Sequence, residues 1–180
     1  MRIINGWLEG VKQHCSPNYN ARADNQDINL LVIHCISLPP SKFDNTYIED
    51  FFLNELQIED DIYFESIKGL EVSSHFLIKR TGEVIQFVSC NDRAWHAGIS
   101  LYKGRENCND FSIGIELQGT EDIKYSAEQY QSLVSLTQVI QNAYPSIQNE
   151  DIVGHEFISP GRKSDPGKSF NWDSYKKSIL

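Results

Sequence analysis

A chain of 180 residues with 40% hydrophobic content is long enough for one well-buried core and too short for two comfortable domains, so one domain over residues 1–180 is expected. A formal net charge of -9 and a pI near 5.0 exclude the clustered basic surface that a protein gripping the nucleic-acid backbone needs to displace counterions. The start of the chain, Met1 to Trp7, has no apolar leader core, and no apolar run approaches the roughly 18 residues of a membrane helix, so a soluble, unexported protein is expected.

Residues 14–27 are polar and carry Pro17, Asn18, Asn20 and Asp24, which reads as an irregular approach to the domain. Cys15, Cys35, Cys90 and Cys108 are widely spaced with no CxxC pair. They form neither a zinc-ribbon pattern nor a disulfide framework, and reduced, mostly packed thiols are expected. The run Leu30 to Ile36 is apolar on both faces, as a central strand covered on both sides would be. His34 shares a face there with Leu30, Val32 and Ile36, close to where Pro39-Pro40 ends the strand. A histidine in that setting is more often a satisfied core residue than a ligand.

Thr46 to Phe52 reads as a short helix, and Asn54 to Gly69, with Tyr63 inside it, as a long crossover loop of the kind that carries function. Ser73–Ile78 and Val84–Val88, joined through Arg80-Thr81-Gly82-Glu83, read as a β-hairpin in which His75 is a hydrogen-bonded core histidine. In Arg93-Ala94-Trp95-His96-Ala97-Gly98 an indole and an imidazole stand beside small residues, leaving room for a flat ligand, while a core position for Trp95 fits the pattern equally well.

Phe111 to Leu117 alternates cleanly, with Phe111, Ile113, Ile115 and Leu117 on one face and Ser112, Gly114 and Glu116 on the other. A carboxylate flanked by two tiny side chains on a buried strand has space in front of it, as a working base needs. Ser126 and Gln129 have the spacing of a capping box, and Tyr130, Leu133, Val134, Thr137 and Ile140 follow at helical intervals until Pro145. A short terminal helix, capped by Asn171 or Asp173 and anchored by Trp172, closes the chain.

Between the last two helices, Val153 to Gly167 concentrates reactive groups in a segment whose two prolines and three glycines rule out a long regular element. Gly161 to Ser169 resembles a phosphate-binding loop, but Arg162 to Pro166 puts one residue too many between the glycines. Lys163 lies two residues before Asp165, so in an extended segment both side chains leave on one side.

His34, His155 and Asp165 together supply two imidazoles and one carboxylate, the ligand set of a catalytic zinc that keeps its fourth position for water. Such a site suits amide hydrolysis, with Glu116 moving the proton and Lys163 facing the oxyanion. The same set also describes non-haem iron oxygenases, so spacing leaves the metal open.

Taken as a set, Leu31–His34, Ile36–Pro40, Val72–Ile78, Arg93–Gly98, Gly104–Glu106, Cys108–Leu117, Gly154-His155 and Arg162–Gly167 resemble the AmpD-type N-acetylmuramoyl-L-alanine amidases. These are zinc enzymes of the wider peptidoglycan-recognition and phage lysozyme-amidase superfamily. The resemblance runs from Gly6-Trp7-Leu8 to Phe170-Asn171-Trp172.

It implies a single α/β domain with a central mixed β-sheet flanked by helices, and a monomeric cytosolic enzyme of cell-wall recycling. The substrate would be an anhydromuropeptide, cleaved between the lactyl group of 1,6-anhydro-N-acetylmuramic acid and the L-alanine of its stem peptide. His34, His155 and Asp165 fall on the family's zinc ligands, Glu116 on its general base and Lys163 on its transition-state cation. Tyr63, Trp95 and Arg162 match positions that line the substrate groove. The chain departs from the pattern at Cys35, where the family has asparagine, and at Glu71 and Asn107, where it has arginines. The loss of those arginines bears on the strength and specificity of peptide binding and leaves the hydrolytic set intact. A muropeptide-binding module that has lost turnover is the alternative of another class, and it would have no need of Glu116.

Overall fold

The computed structural model describes all of residues 1–180. Six strands form the main sheet: β1 (Lys12–Gln13), β2 (Leu30–Ile36), β3 (Phe76–Ile78), β4 (Val84–Gln86), β5 (Ser112–Gln118) and β6 (Ile152–Gly154). Their spatial order is β6-β2-β5-β3-β4-β1. The sheet is mixed: β2 runs parallel to both β5 and β6, β5 parallel to β3, and β1 parallel to β4, whereas β3 and β4 form an antiparallel hairpin. β2 and β5 hold the centre because their apolar residues tolerate cover on both faces, and every residue of β5 is buried.

The helices are α1 (Tyr47–Phe52), α2 (Ala127–Ala143), α3 (His155–Ile158) and α4 (Trp172–Ser178). The expected capping box starts α2, with Ser126 Oγ accepting from the Gln129 N–H at 3.0 Å and Gln129 Oε1 from the Ser126 N–H at 3.1 Å. Leu133, Leu136 and Ile140 of α2 pack on Leu31, Ile33, Ile113, Ile115 and Leu117, and Tyr175 of α4 completes that core. Asn171 caps α4 by accepting from the Ser174 N–H at 3.0 Å. On the opposite face, Ile48 and Phe52 of α1 join Phe64, Leu77, Ile85 and Phe87. No helix is long and apolar enough to cross a membrane.

Three features differ from the sequence reading. Phe111 leaves the face of Ile113 and Ile115, because the 3₁₀ turn Cys108–Asp110 ends there before the alternation begins. It packs with Leu30, Val32 and Tyr102 beneath the Arg105 guanidinium, 3.8 Å from the ring centroid. The expected crossover loop holds two 3₁₀ turns, Ile58–Asp60 and Ile62–Ile67. Within the expected irregular approach, Tyr19–Ala21 pairs antiparallel with Asp92–Ala94. The buried Arg22 beside it donates to the carbonyls of Asn109 (2.8 Å), Asp110 (3.0 Å) and Ser112 (2.6 Å).

His75 is the core histidine expected. Its Nδ1 accepts from the Gly114 N–H at 3.0 Å, so its Nε2–H donates to the Asp92 carbonyl at 3.1 Å. Burial lowers its pKa to about 3, with the Arg22 charge adding to the effect. All four cysteines are free, with Cys90 and Cys108 buried.

Candidate metal centre and active site

Parallel register brings the central groups together. Across β2 and β5, His34 pairs with Glu116, so the imidazole and the carboxylate leave the sheet on the same face, near the carboxyl ends of both strands. Across β2 and β6, Gly154 pairs with Ile33, so the next residue, His155, enters α3 beside His34.

Asp165 arrives on a loop with three anchors. The Tyr125 hydroxyl donates to the Pro166 carbonyl (2.7 Å), the Ser164 hydroxyl to Glu121 Oε1 (2.6 Å), and the Glu156 N–H to the Asp165 carbonyl (3.0 Å). Gly167, at φ +82°, permits this approach, since a Cβ there would lie 2.4 Å from the Glu121 Cα.

The three candidate ligands form a nearly equilateral triangle. His34 Nδ1 lies 3.0 Å from His155 Nδ1 and 3.1 Å from Asp165 Oδ2, and His155 Nδ1 lies 3.1 Å from the same oxygen. Ligands of a tetrahedral cation bonded at about 2.0–2.1 Å stand about 3.3 Å apart, close to these edges. His155 Nε2 faces the Ala97 carbonyl at 3.0 Å; as donor there it leaves the Nδ1 lone pair aimed into the triangle. Converging lone pairs and a carboxylate repel unless a proton or a cation lies among them, so the residues fit a metal ion.

The electrostatics agree. Burial pushes the Asp165 carboxyl up, but hydrogen bonds with His155 and His34 outweigh it and hold the group well below the usual carboxylate range. His34 is lowered to about 4, chiefly by burial, which keeps it neutral and available as a ligand. Glu116 is raised well above the ordinary carboxylate value by burial and by the Asp165 charge, with Lys163 acting in the opposite sense. Its Oε2 is buried without a hydrogen-bond partner in the protein.

A cavity of about 310 Å³ opens over His34, His155 and Asp165, and Glu116 and Lys163 also line it. Tyr63 and Trp95 contribute to its walls. Trp95 is fixed by its indole N–H, which donates to Asn20 Oδ1 at 2.7 Å. Tyr63 sits in the second 3₁₀ turn, its backbone N–H donating to Asp61 at 2.9 Å.

Arg162 is placed differently. It does not line this cavity, and its guanidinium donates to the carbonyls of Ala97 (2.6 Å) and Ile99 (2.8 Å) and to Ser159 Oγ (2.8 Å). Cys35 packs toward the α2 side of the sheet, and burial raises its thiol to about 12. Glu71 lines an adjoining groove of about 230 Å³ that shares Phe51, Ile67 and Leu70 with the cavity.

His96, which the sequence suggested only as room beside a flat ligand, stands with Nδ1 2.9 Å from His34 Nε2. No local signal pairs these two residues, because the contact joins a loop to a strand 62 positions away.

A mixed sheet carries a His-His-Asp triangle able to hold a metal ion, with a buried carboxyl beside it, an arrangement suited to a hydrolase of the amidase class. The family model described as N-acetylmuramoyl-L-alanine amidase matches residues 24–168, and the chain belongs to that family. Membership sets the oxygenase reading aside.

The chain is 49% identical over 177 residues, 98% of its own length and 96% of the relative's, to the 1,6-anhydro-N-acetylmuramyl-L-alanine amidase AmpD of Haemophilus influenzae. It is 44% identical over 176 residues to AmpD of Escherichia coli, with 98% and 96% covered. Among solved structures it matches a selenomethionine AmpD derivative with a TM-score of 0.96 at 44% identity over 100% of both chains. AmiD from E. coli, solved with the substrate anhydro-N-acetylmuramic acid-L-Ala-D-gamma-Glu-L-Lys, gives a TM-score of 0.64 at 29% identity, covering 89% of this chain and 61% of that one.

Proposed function

We propose that the chain is one zinc amidase domain that hydrolyses the amide between 1,6-anhydro-N-acetylmuramic acid and the L-alanine of the stem peptide. It acts on cytoplasmic muropeptides in cell-wall recycling, as a monomer with a small-molecule substrate and with no nucleic-acid or membrane partner. The observation that carries this reading is Glu116 Oε2, buried and unpartnered in the cavity that opens over the His34–His155–Asp165 triangle. The relatives that cover nearly the whole chain bear this activity in their names, which supports the substrate.

His34, His155 and Asp165 would hold one Zn²⁺. When bound, the ion lowers the pKa of water toward about 7 and polarises a carbonyl. Glu116 accepts the proton of the attacking water at its free carboxylate oxygen and passes it to the leaving alanine nitrogen. Water oxygen joins the lactyl carbonyl carbon, the C–N bond breaks, and the products are a lactyl carboxylate and a free peptide amine.

Lys163, lining the same cavity, faces the charge that develops on the carbonyl oxygen. Trp95 and Tyr63 supply flat surface for the substrate. Arg162, which donates to Ala97, Ile99 and Ser159, holds the metal loop in place, and its exposed side chain stands at the rim as the proposed groove residue.

The test is mass spectrometry of an anhydromuramyl tripeptide incubated with the full chain in ¹⁸O-labelled water. One ¹⁸O in the lactyl carboxylate, with free N-terminal alanine on the peptide, is expected. A muropeptide that binds zinc-loaded protein and stays intact would overturn the amidase reading in favour of a binding module.

A further inference from the structure

A neutral imidazole can give one nitrogen to a metal only if its proton sits on the other, so whatever accepts that proton sets the ligand's tautomer and orientation. In this chain the two acceptors are consecutive residues. His34 turns Nδ1 into the triangle and Nε2 toward His96 Nδ1, at 2.9 Å. His155 turns Nδ1 into the triangle and Nε2 toward the Ala97 carbonyl, at 3.0 Å, a carbonyl that also accepts from Arg162 Nη2 (2.6 Å), which lies 3.3 Å from the same ring nitrogen.

His96–Ala97 is itself held at one point. Both of its backbone N–H groups donate to Asn109 Oδ1, at 3.1 Å and 2.8 Å, and Asn109 is buried. The His96 ring continues to Ser112 Oγ, 3.2 Å from its Nε2. With Nδ1 accepting from His34, that Nε2 carries the proton and donates to the hydroxyl.

The sheet is shaped for this ring. Gly114 stands between Ser112 and Glu116 on the same face, and a Cβ there would come within 2.6 Å of the His96 Cγ. Any side chain at position 114 therefore displaces the imidazole. The small residue beside Glu116 thus makes room for His96.

We infer that His96–Ala97, gripped by Asn109, is the positioning unit of the metal site. It keeps both ligand histidines protonated on Nε2 and free on Nδ1, and thereby sets metal affinity. This rests on the reading of His34, His155 and Asp165 as ligands. His96 also lines the cavity, and the role inferred for it is that of a positioning residue acting through His34.

Zinc affinity of the full chain, measured by competition with a chromophoric chelator, tests it. His96→Leu keeps the bulk, removes the acceptor and is expected to weaken zinc binding by about 10–100-fold. His96→Asn places Oδ1 where Nδ1 stood and is expected to restore affinity to within a few-fold of the parent. Long-range ¹H–¹⁵N NMR of the zinc-loaded parent is expected to show His34 and His155 coordinated through Nδ1 and protonated on Nε2, with His96 also protonated on Nε2.

Unchanged affinity in His96→Leu, or a loss in His96→Asn as large as in His96→Leu, would overturn the inference. So would a His96 protonated on Nδ1, a readout that needs no variant to fold. A parent chain that binds no zinc would instead overturn the ligand assignment itself.

Discussion

On the face of β2 and β5 that meets α2, Leu31, Ile33, Ile113, Ile115 and Leu117 are all 0–1% exposed, and the buried Thr137 Oγ1 is paired with the Tyr175 hydroxyl at 2.7 Å. The same two strands, turned over, bury His34 at 1% and Glu116 at 9% exposure, and there Glu116 Oε2 has no partner. Burial alone therefore does not separate the two faces. What separates them is whether the buried groups are content. The helix side gains stability from apolar burial, whereas the site side keeps a carboxyl well above its ordinary pKa and a histidine well below, at a cost to folding.

That contrast can be broken from either side, and the largest effect on turnover is expected from the triangle. Asp165→Ala removes one corner of it, so zinc stoichiometry by metal analysis and kcat should fall together toward background. Zinc content equal to that of the parent would remove Asp165 from the ligand set.

Glu116→Gln comes next. It should lower kcat by about 10²–10⁴-fold with zinc retained. A carboxyl raised above its unfolded-state value of about 4.3 opposes folding once the pH exceeds that value, and the penalty grows until the folded-state pKa is passed. In metal-free protein the same variant should therefore raise Tm at about pH 7 and converge on the parent near about pH 4. A variant less stable than the parent at neutral pH would mean that the carboxyl is a structural group.

Lys163→Met should reduce kcat by about 10²-fold or more if the ammonium serves the oxyanion. A change confined to KM would assign it to ground-state binding. The smallest effect on catalysis is expected on the other face. Leu133→Ala, at a position 0% exposed, should cost about 2–5 kcal/mol in denaturant unfolding while kcat/KM below Tm stays unchanged. A loss of kcat there would show that the two faces are coupled.

The fold was legible where the signal is local. Leu30–Ile36 is the strand its apolar run predicts, and the Ser126–Gln129 box starts α2 where the spacing puts it. Alternation along β5 correctly sends Gly114 and Glu116 to one side, but it fails at Phe111, where a 3₁₀ turn resets the phase.

The site was legible as a set of residue types and a family pattern, with its geometry hidden. Nothing near His34 in the chain says that Glu116 will be its parallel partner or that Gly154 will deliver His155 beside it. The same distance in sequence hid His96 and the backbone carbonyls to which Arg162 donates. A guanidinium's partners depend on which loop the fold brings alongside, and here that loop is residues 97–99.

On the proposed function, the His34–His155–Asp165 triangle would hold a zinc ion beside which Glu116 cleaves a muropeptide amide. Hydrolysis of an anhydromuramyl tripeptide, followed before chelation, after chelation and after zinc is returned, with metal analysis on each sample, tests it most directly. One zinc per chain is expected, with release of free peptide that stops when the metal is removed and recovers when it is restored. Hydrolysis that persists in metal-free protein would contradict it.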